Sequence, residues 1–130
     1  MQPSEKTSTE LAHIQQAIDP KALEKILAIS DQEFVVEMID IFLADGEDFL
    51  TKLELGFAQQ DWQKITQTAH GFKSISAAMG ASGLSKICWE LEAAAKARVN
   101  IFAEPRLAKV QQEYELVRSA LAFYRQNYTG

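Results

Sequence analysis

Cys88 is the only cysteine in a chain of 130 residues, so no internal disulfide can form and the fold must rest on its core. Prolines are almost as scarce: Pro3, Pro20 and Pro105 are the only three, which leaves long stretches free to be helical. No run reaches the roughly 18 to 20 uninterrupted apolar residues of a membrane span, because Asp40 and Asp45 break the most apolar region, 34–50. Basic residues form no cluster, and 13 Lys and Arg against 18 Asp and Glu give a net charge of −5. That balance argues against a protein built to grip nucleic acid. A charged start followed by an apolar secretory core is also missing, so a cytoplasmic protein without membrane attachment is expected. No segment shows the strict alternation of a half-buried strand. What is present is 47% hydrophobic and 24% charged residues, the composition of one globular domain able to bury a core.

The apolar positions that remain have helical spacing. Residues 1–9 read as a frayed polar tail, followed by a short helix on Leu11, Ile14 and Ile18. Asp19-Pro20 is an N-cap with proline at the first helical position, opening a short helix that ends near Ser30. Ser30 and Glu33 then read as a capping box for the longest helix. Its core stripe is Val35, Ile39, Phe42, Gly46, Phe49 and Leu53, and it ends near Gln60. Gly46 on that stripe implies close approach of a neighbouring helix. Asp61 caps the next helix, with Trp62, Ile65, Ala69, Phe72 and Met79 inward, Ser76 interrupting the stripe and Gly80 closing it. Leu84, Ile87, Cys88, Leu91 and Ala95 outline a further helix ending near Asn100. Pro105 opens the last, where Leu107, Val110, Tyr114, Val117, Leu121, Tyr124 and Tyr128 repeat at three and four. The expected fold is all-α: residues 1–18 form a tail and short helical cover, and 19–130 an antiparallel four-helix bundle.

One histidine sits on the wrong face for a core residue. Relative to the stripe of its helix, His70 points roughly 140° away, toward solvent. Around it lie Gln67, Gly71, Ser74, Ala77 and Ala78, nearly all small, where an exposed helical face is normally filled by long charged side chains. Small neighbours allow another macromolecule to reach the ring. A neutral imidazole offers a nitrogen lone pair that can attack phosphorus. Lys73, one turn along, could bring an ammonium to the charge that a phosphoryl group adds.

The run from His70-Gly-Phe-Lys73-Ser through Gly80 to Leu84, continued by Cys88-Trp-Glu-Leu-Glu92, resembles the histidine-containing phosphotransfer (HPt) domain family. The resemblance spans roughly residues 19–97 and includes the helix over 34–53 and the Asp61-Trp62 opening. It implies a four-helix bundle that accepts a phosphoryl group from a receiver-domain aspartate and passes it to another receiver, not an enzyme in its own right. By resemblance His70 is the phosphorylated residue, on Nε2, and Lys73 assists it. Glu92 stands where the family has Gln or Glu facing the histidine, and would orient the ring by accepting from Nδ1–H. The implied partners are response-regulator receivers and a hybrid histidine kinase. No cofactor of its own is expected, Mg²⁺ residing on the receiver. Ser74 departs from the family, which has glycine after the lysine.

The remaining residues carry plainer readings. His13 follows Glu10 by three residues, but no cysteine or second such pair accompanies it and it receives no role. At the same spacing Gln67 precedes His70, so the paired Glu-x-x-His motifs of a bundle metal site are missing and no such site is expected. Cys88 reads as a small buried hydrophobe, Trp62 as core and Trp89 as partly exposed packing. No glycine-rich phosphate loop or nucleotide motif supports an enzyme. The alternative is an adaptor of the same fold that binds receivers without carrying phosphate, suggested by Ser74. A monomer is expected, since the His70 face must stay free.

Overall fold

The computed structural model describes residues 7–99 and 105–129. They form six helices: α1 (Ser8–Gln15), α2 (Pro20–Ala28), α3 (Gln32–Ala58), α4 (Trp62–Ala78), α5 (Ser82–Lys96) and α6 (Arg106–Arg125). A single 3₁₀ turn, Gln126–Tyr128, follows α6, and no strand occurs among the described residues. Helix α3 packs on α4 and α6, and α5 packs on the same two, which closes a four-helix ring. The short links between α3, α4 and α5 force antiparallel neighbours. Helix α1 covers α6 and α2 covers α3.

The core follows the stripes expected from periodicity, except that Leu11 is exposed and Trp62, Ile87, Leu107, Tyr124 and Tyr128 are only partly buried against its edge. Val35, Ile39, Leu53, Ile65, Ala69, Phe72, Leu84, Cys88, Val110, Tyr114, Val117 and Leu121 are wholly buried. The close approach expected at Gly46 is made by a side chain: a Cβ there would lie 2.5 Å from the Tyr114 ring, whose hydroxyl donates to the Leu43 carbonyl at 3.1 Å. Ser76 is buried on the α4 stripe with no hydrogen-bond partner for its hydroxyl.

Helix starts agree with the sequence at Asp19, whose carboxylate accepts from Lys21 N–H, and at Asp61, which accepts from Lys64 N–H. They differ at three places. The cap of α3 is Asp31, accepting from Phe34 N–H at 2.8 Å, while Ser30 turns back and donates to the Ile26 carbonyl. The expected Ser30–Glu33 box is therefore displaced by one residue, because Ser30 still closes α2. A true capping box lies instead at Thr7 and Glu10, so α1 begins at Ser8, inside the stretch read as tail. Pro105 occupies the N-cap position of α6, one residue before the first helical turn, rather than that turn itself. Helix α5, expected to run to near Asn100, ends earlier, at Lys96, with Ala97 as its C-cap and Arg98 in a left-handed conformation (φ +53°) that stops it.

Gly80 ties the cover to the bundle. Its φ of +82° is a left-handed conformation that closes α4, and an added Cβ would lie 2.7 Å from Ala22 and 2.8 Å from the Asp19 carbonyl. Asp19 N–H donates to the Gly80 carbonyl at 2.9 Å. The same turn sets α5 antiparallel to α4, which brings Glu92 opposite His70.

Candidate functional site

Helix α4 separates two kinds of surface. Ala69 and Phe72 are fully buried, whereas the side chain of His70 between them is 62% exposed. The ring is not loose: Nδ1 lies 2.8 Å from Oε2 of Glu92 on α5. The other oxygen of that carboxylate, Oε1, accepts from Lys73 Nζ at 2.6 Å. Lys96, one turn along α5, places its Nζ 3.5 Å from Oε2. Glu92 is only 7% exposed in its side chain. Burial alone would push its carboxyl up, but hydrogen bonds and charge from Lys73 and His70 outweigh burial and hold it below the usual range. The carboxylate is thus ionised at neutral pH. A carboxylate can only accept, so Nδ1 carries the proton that faces it. In the neutral ring the lone pair is then on Nε2, the nitrogen turned away from Glu92.

Gln67, Ser74, Ala77 and Ala78 are exposed on the same side of α4, as the sequence indicated. Ser74 does not present its hydroxyl outward: Oγ donates to the His70 carbonyl at 3.1 Å, the back-bond of a helical serine. Gly71 is placed differently from expectation. It is half-buried, and a Cβ there would lie 2.8 to 2.9 Å from the ring of Phe49, so it seats that ring rather than forming bare surface. Phe49, expected in the core, is half-buried. It stacks on Phe72 at 5.4 Å between centroids, with Lys52 Nζ 5.9 Å from its own. Lys73 is less free than a surface lysine, 24% exposed and anchored on Glu92. Its backbone carbonyl also accepts from Ser85 Oγ at 3.1 Å.

Two contributors escaped the sequence reading. Lys96 could have been found from its i,i+4 spacing to Glu92, whereas the Phe49 contact with Gly71 depends on the α3–α4 packing. His13 is exposed and, among the described residues, meets no acidic partner in a hydrogen bond or ion pair. Among the described residues no group of three or more His, Cys, Asp or Glu could hold a metal ion, and no helix is long and apolar enough to cross a membrane.

The Hpt domain family profile matches residues 37–120, which contain every member of this cluster. The chain belongs to the HPt domain family. Histidine-containing phosphotransfer protein 1 of Arabidopsis thaliana is 29% identical over 102 residues, covering 76% of this chain; the chain spans 66% of that relative's length. The crystal structure of histidine-containing phosphotransfer protein B (HptB) from Pseudomonas aeruginosa PAO1 superimposes with a TM-score of 0.80 at 28% identity, over 86% of this chain and 96% of that one. HPt domains are phosphotransfer intermediates of two-component signalling, not classical enzymes, and work with response regulators and kinases.

Proposed function

We propose that His70 is the phosphoryl carrier of this HPt domain, accepting from the aspartyl phosphate of one receiver and donating to the aspartate of another. The observation that carries this reading is the Glu92 bridge, which holds Nδ1 at 2.8 Å and leaves Nε2 as the nucleophile. In the forward step the Nε2 lone pair attacks phosphorus. An N–P bond forms, the P–O bond to the donor aspartate breaks, and its electron pair leaves with the carboxylate. Nδ1 keeps its proton, so the ring gains positive charge while bonded to an ionised Glu92, which stabilises it. Return transfer reverses these bonds on the second receiver. Lys73, one helical turn from His70, offsets the added phosphoryl charge without leaving its carboxylate anchor.

Mg²⁺ on the receiver supplies the Lewis acid that activates its aspartyl phosphate. The partners are receiver domains, with a hybrid kinase upstream, and a monomer keeps the His70 face free. The exposed residues Gln67, Ser74, Ala77 and Ala78 form the near part of the docking surface, and Gly71 contributes by seating Phe49 beneath it. The adaptor alternative rests on Ser74, whose hydroxyl is bonded to the His70 carbonyl; receivers that bind without labelling His70 would favour it.

Incubation with an acetyl-phosphate-charged receiver and Mg²⁺ should add about 80 Da of acid-labile phosphate to the wild-type chain. His70→Gln should fold normally and stay unlabelled; a labelled mutant would overturn the assignment.

A further inference from the structure

Two surface grooves meet at Ala77 and Ser82, on the side of α4 that carries His70. The first, ≈470 Å³, runs toward α2 and is walled by Lys21, Lys25 and Ile29. The second, ≈380 Å³, runs toward α5 and is walled by Lys73, Lys86 and Trp89. Trp89 is 58% exposed and Ile29 is 87% exposed, large apolar side chains that the core does not use. Among the described residues Asp19 is the single carboxylate lining either groove, and it is engaged as the cap of α2. Four lysines thus rim an apolar surface on a chain whose net charge is −5. The surface is continuous with the phosphoryl site, because Lys73 belongs to both.

We infer, on the basis of the phosphorelay reading above, that the receiver docks across both grooves. Trp89 and Ile29 are its apolar anchors, and Lys25 and Lys86 select receivers with an acidic rim. A donor presents an aspartyl phosphate at the centre of its docking face, so its charge complements these lysines. Exposed aromatics beside small residues are the usual anchors of such contacts. Specificity therefore lies off the His70 helix, on α2 and α5, where substitutions alter partner choice without touching the chemistry.

The test pairs two phosphodonors. Phosphoramidate is small, needs no docking surface, and reads His70 alone. A panel of receiver domains charged with acetyl phosphate reads docking, and the receiver that labels wild type fastest is carried into kinetics. Trp89→Ala and Ile29→Ala should each raise the KM for that receiver about tenfold, with kcat and phosphoramidate labelling unchanged. Lys25→Glu with Lys86→Glu should slow transfer and remove most of its salt dependence. A KM within about twofold of wild type for all variants would overturn the inference. So would phosphoramidate labelling of His70 with no transfer from any receiver. Absence of labelling by both donors would instead remove the phosphorelay reading itself.

Discussion

Cys88 and Glu92 lie one turn apart on α5, and both are buried, yet the bundle treats them oppositely. Cys88 faces the apolar core, where burial pushes its thiol up to about 12 and leaves it neutral and inert. Glu92 sits at the edge of the same surface, where Lys73, His70 and Lys96 reach its carboxylate and keep it ionised. Depth does not decide which buried group is charged in this fold; the partners brought by α4 and by the next turn of α5 do. A buried ionised group is costly unless it is paired and hydrogen-bonded. Its retention beside an exposed histidine marks the α4–α5 seam as the functional side of the bundle.

The contrast breaks most severely if a carboxylate is moved one turn toward the core. Cys88→Asp should cost more than about 4 kcal/mol, since no cation is placed to meet it, and urea unfolding should show loss of the cooperative transition in native buffer. A cost near 1 kcal/mol would mean that the core is wetter or looser than its packing indicates. Removing the charge that is satisfied acts on function instead. Glu92→Ala should slow phosphoryl transfer about 10- to 100-fold, the usual scale for losing a group that orients a reacting imidazole, with helical circular dichroism retained. A wild-type rate would reduce Glu92 to a structural ion-pair partner.

A smaller effect sharpens the comparison through pH. A carboxyl held below its ordinary value contributes stability that is complete above the usual glutamate range and disappears as the pH falls through the depressed value. Glu92→Gln should therefore be less stable than wild type at neutral pH and should converge with it on acidification. The checks are urea midpoints at pH 7 and below pH ~4. A constant difference between the two proteins across that range would show that the Glu92 charge does not contribute.

The helices and their inward stripes were legible because a bundle writes its core as a three-four repeat, and Asp19-Pro20 and Asp61 announce their helix starts directly. Register at Ser30 was not, since Ser30 and Asp31 are adjacent capping residues and only the folded chain shows that Ser30 closes the preceding helix. Thr7 and Glu10 form a box that the sequence does display, hidden by the polar stretch around it. His70 stood out by the size of its neighbours, although Gly71 had a different reason to be small: the ring of Phe49 passes over it, a contact between residues far apart in the chain. The grip of Lys73 on Glu92 was equally out of reach, because it depends on how α4 and α5 are set by the Gly80 turn. Sequence periodicity gives the face a residue occupies, and interhelical placement gives the partner it finds there.

The most direct test of the Glu92 bridge is the tautomer of the unphosphorylated His70 ring, read by long-range ¹H–¹⁵N correlation of its imidazole nitrogens at a pH where the ring is neutral. A protonated Nδ1 with an unprotonated Nε2, lost in Glu92→Ala, is the predicted result. A ring protonated on Nε2 in the wild-type protein would contradict the account.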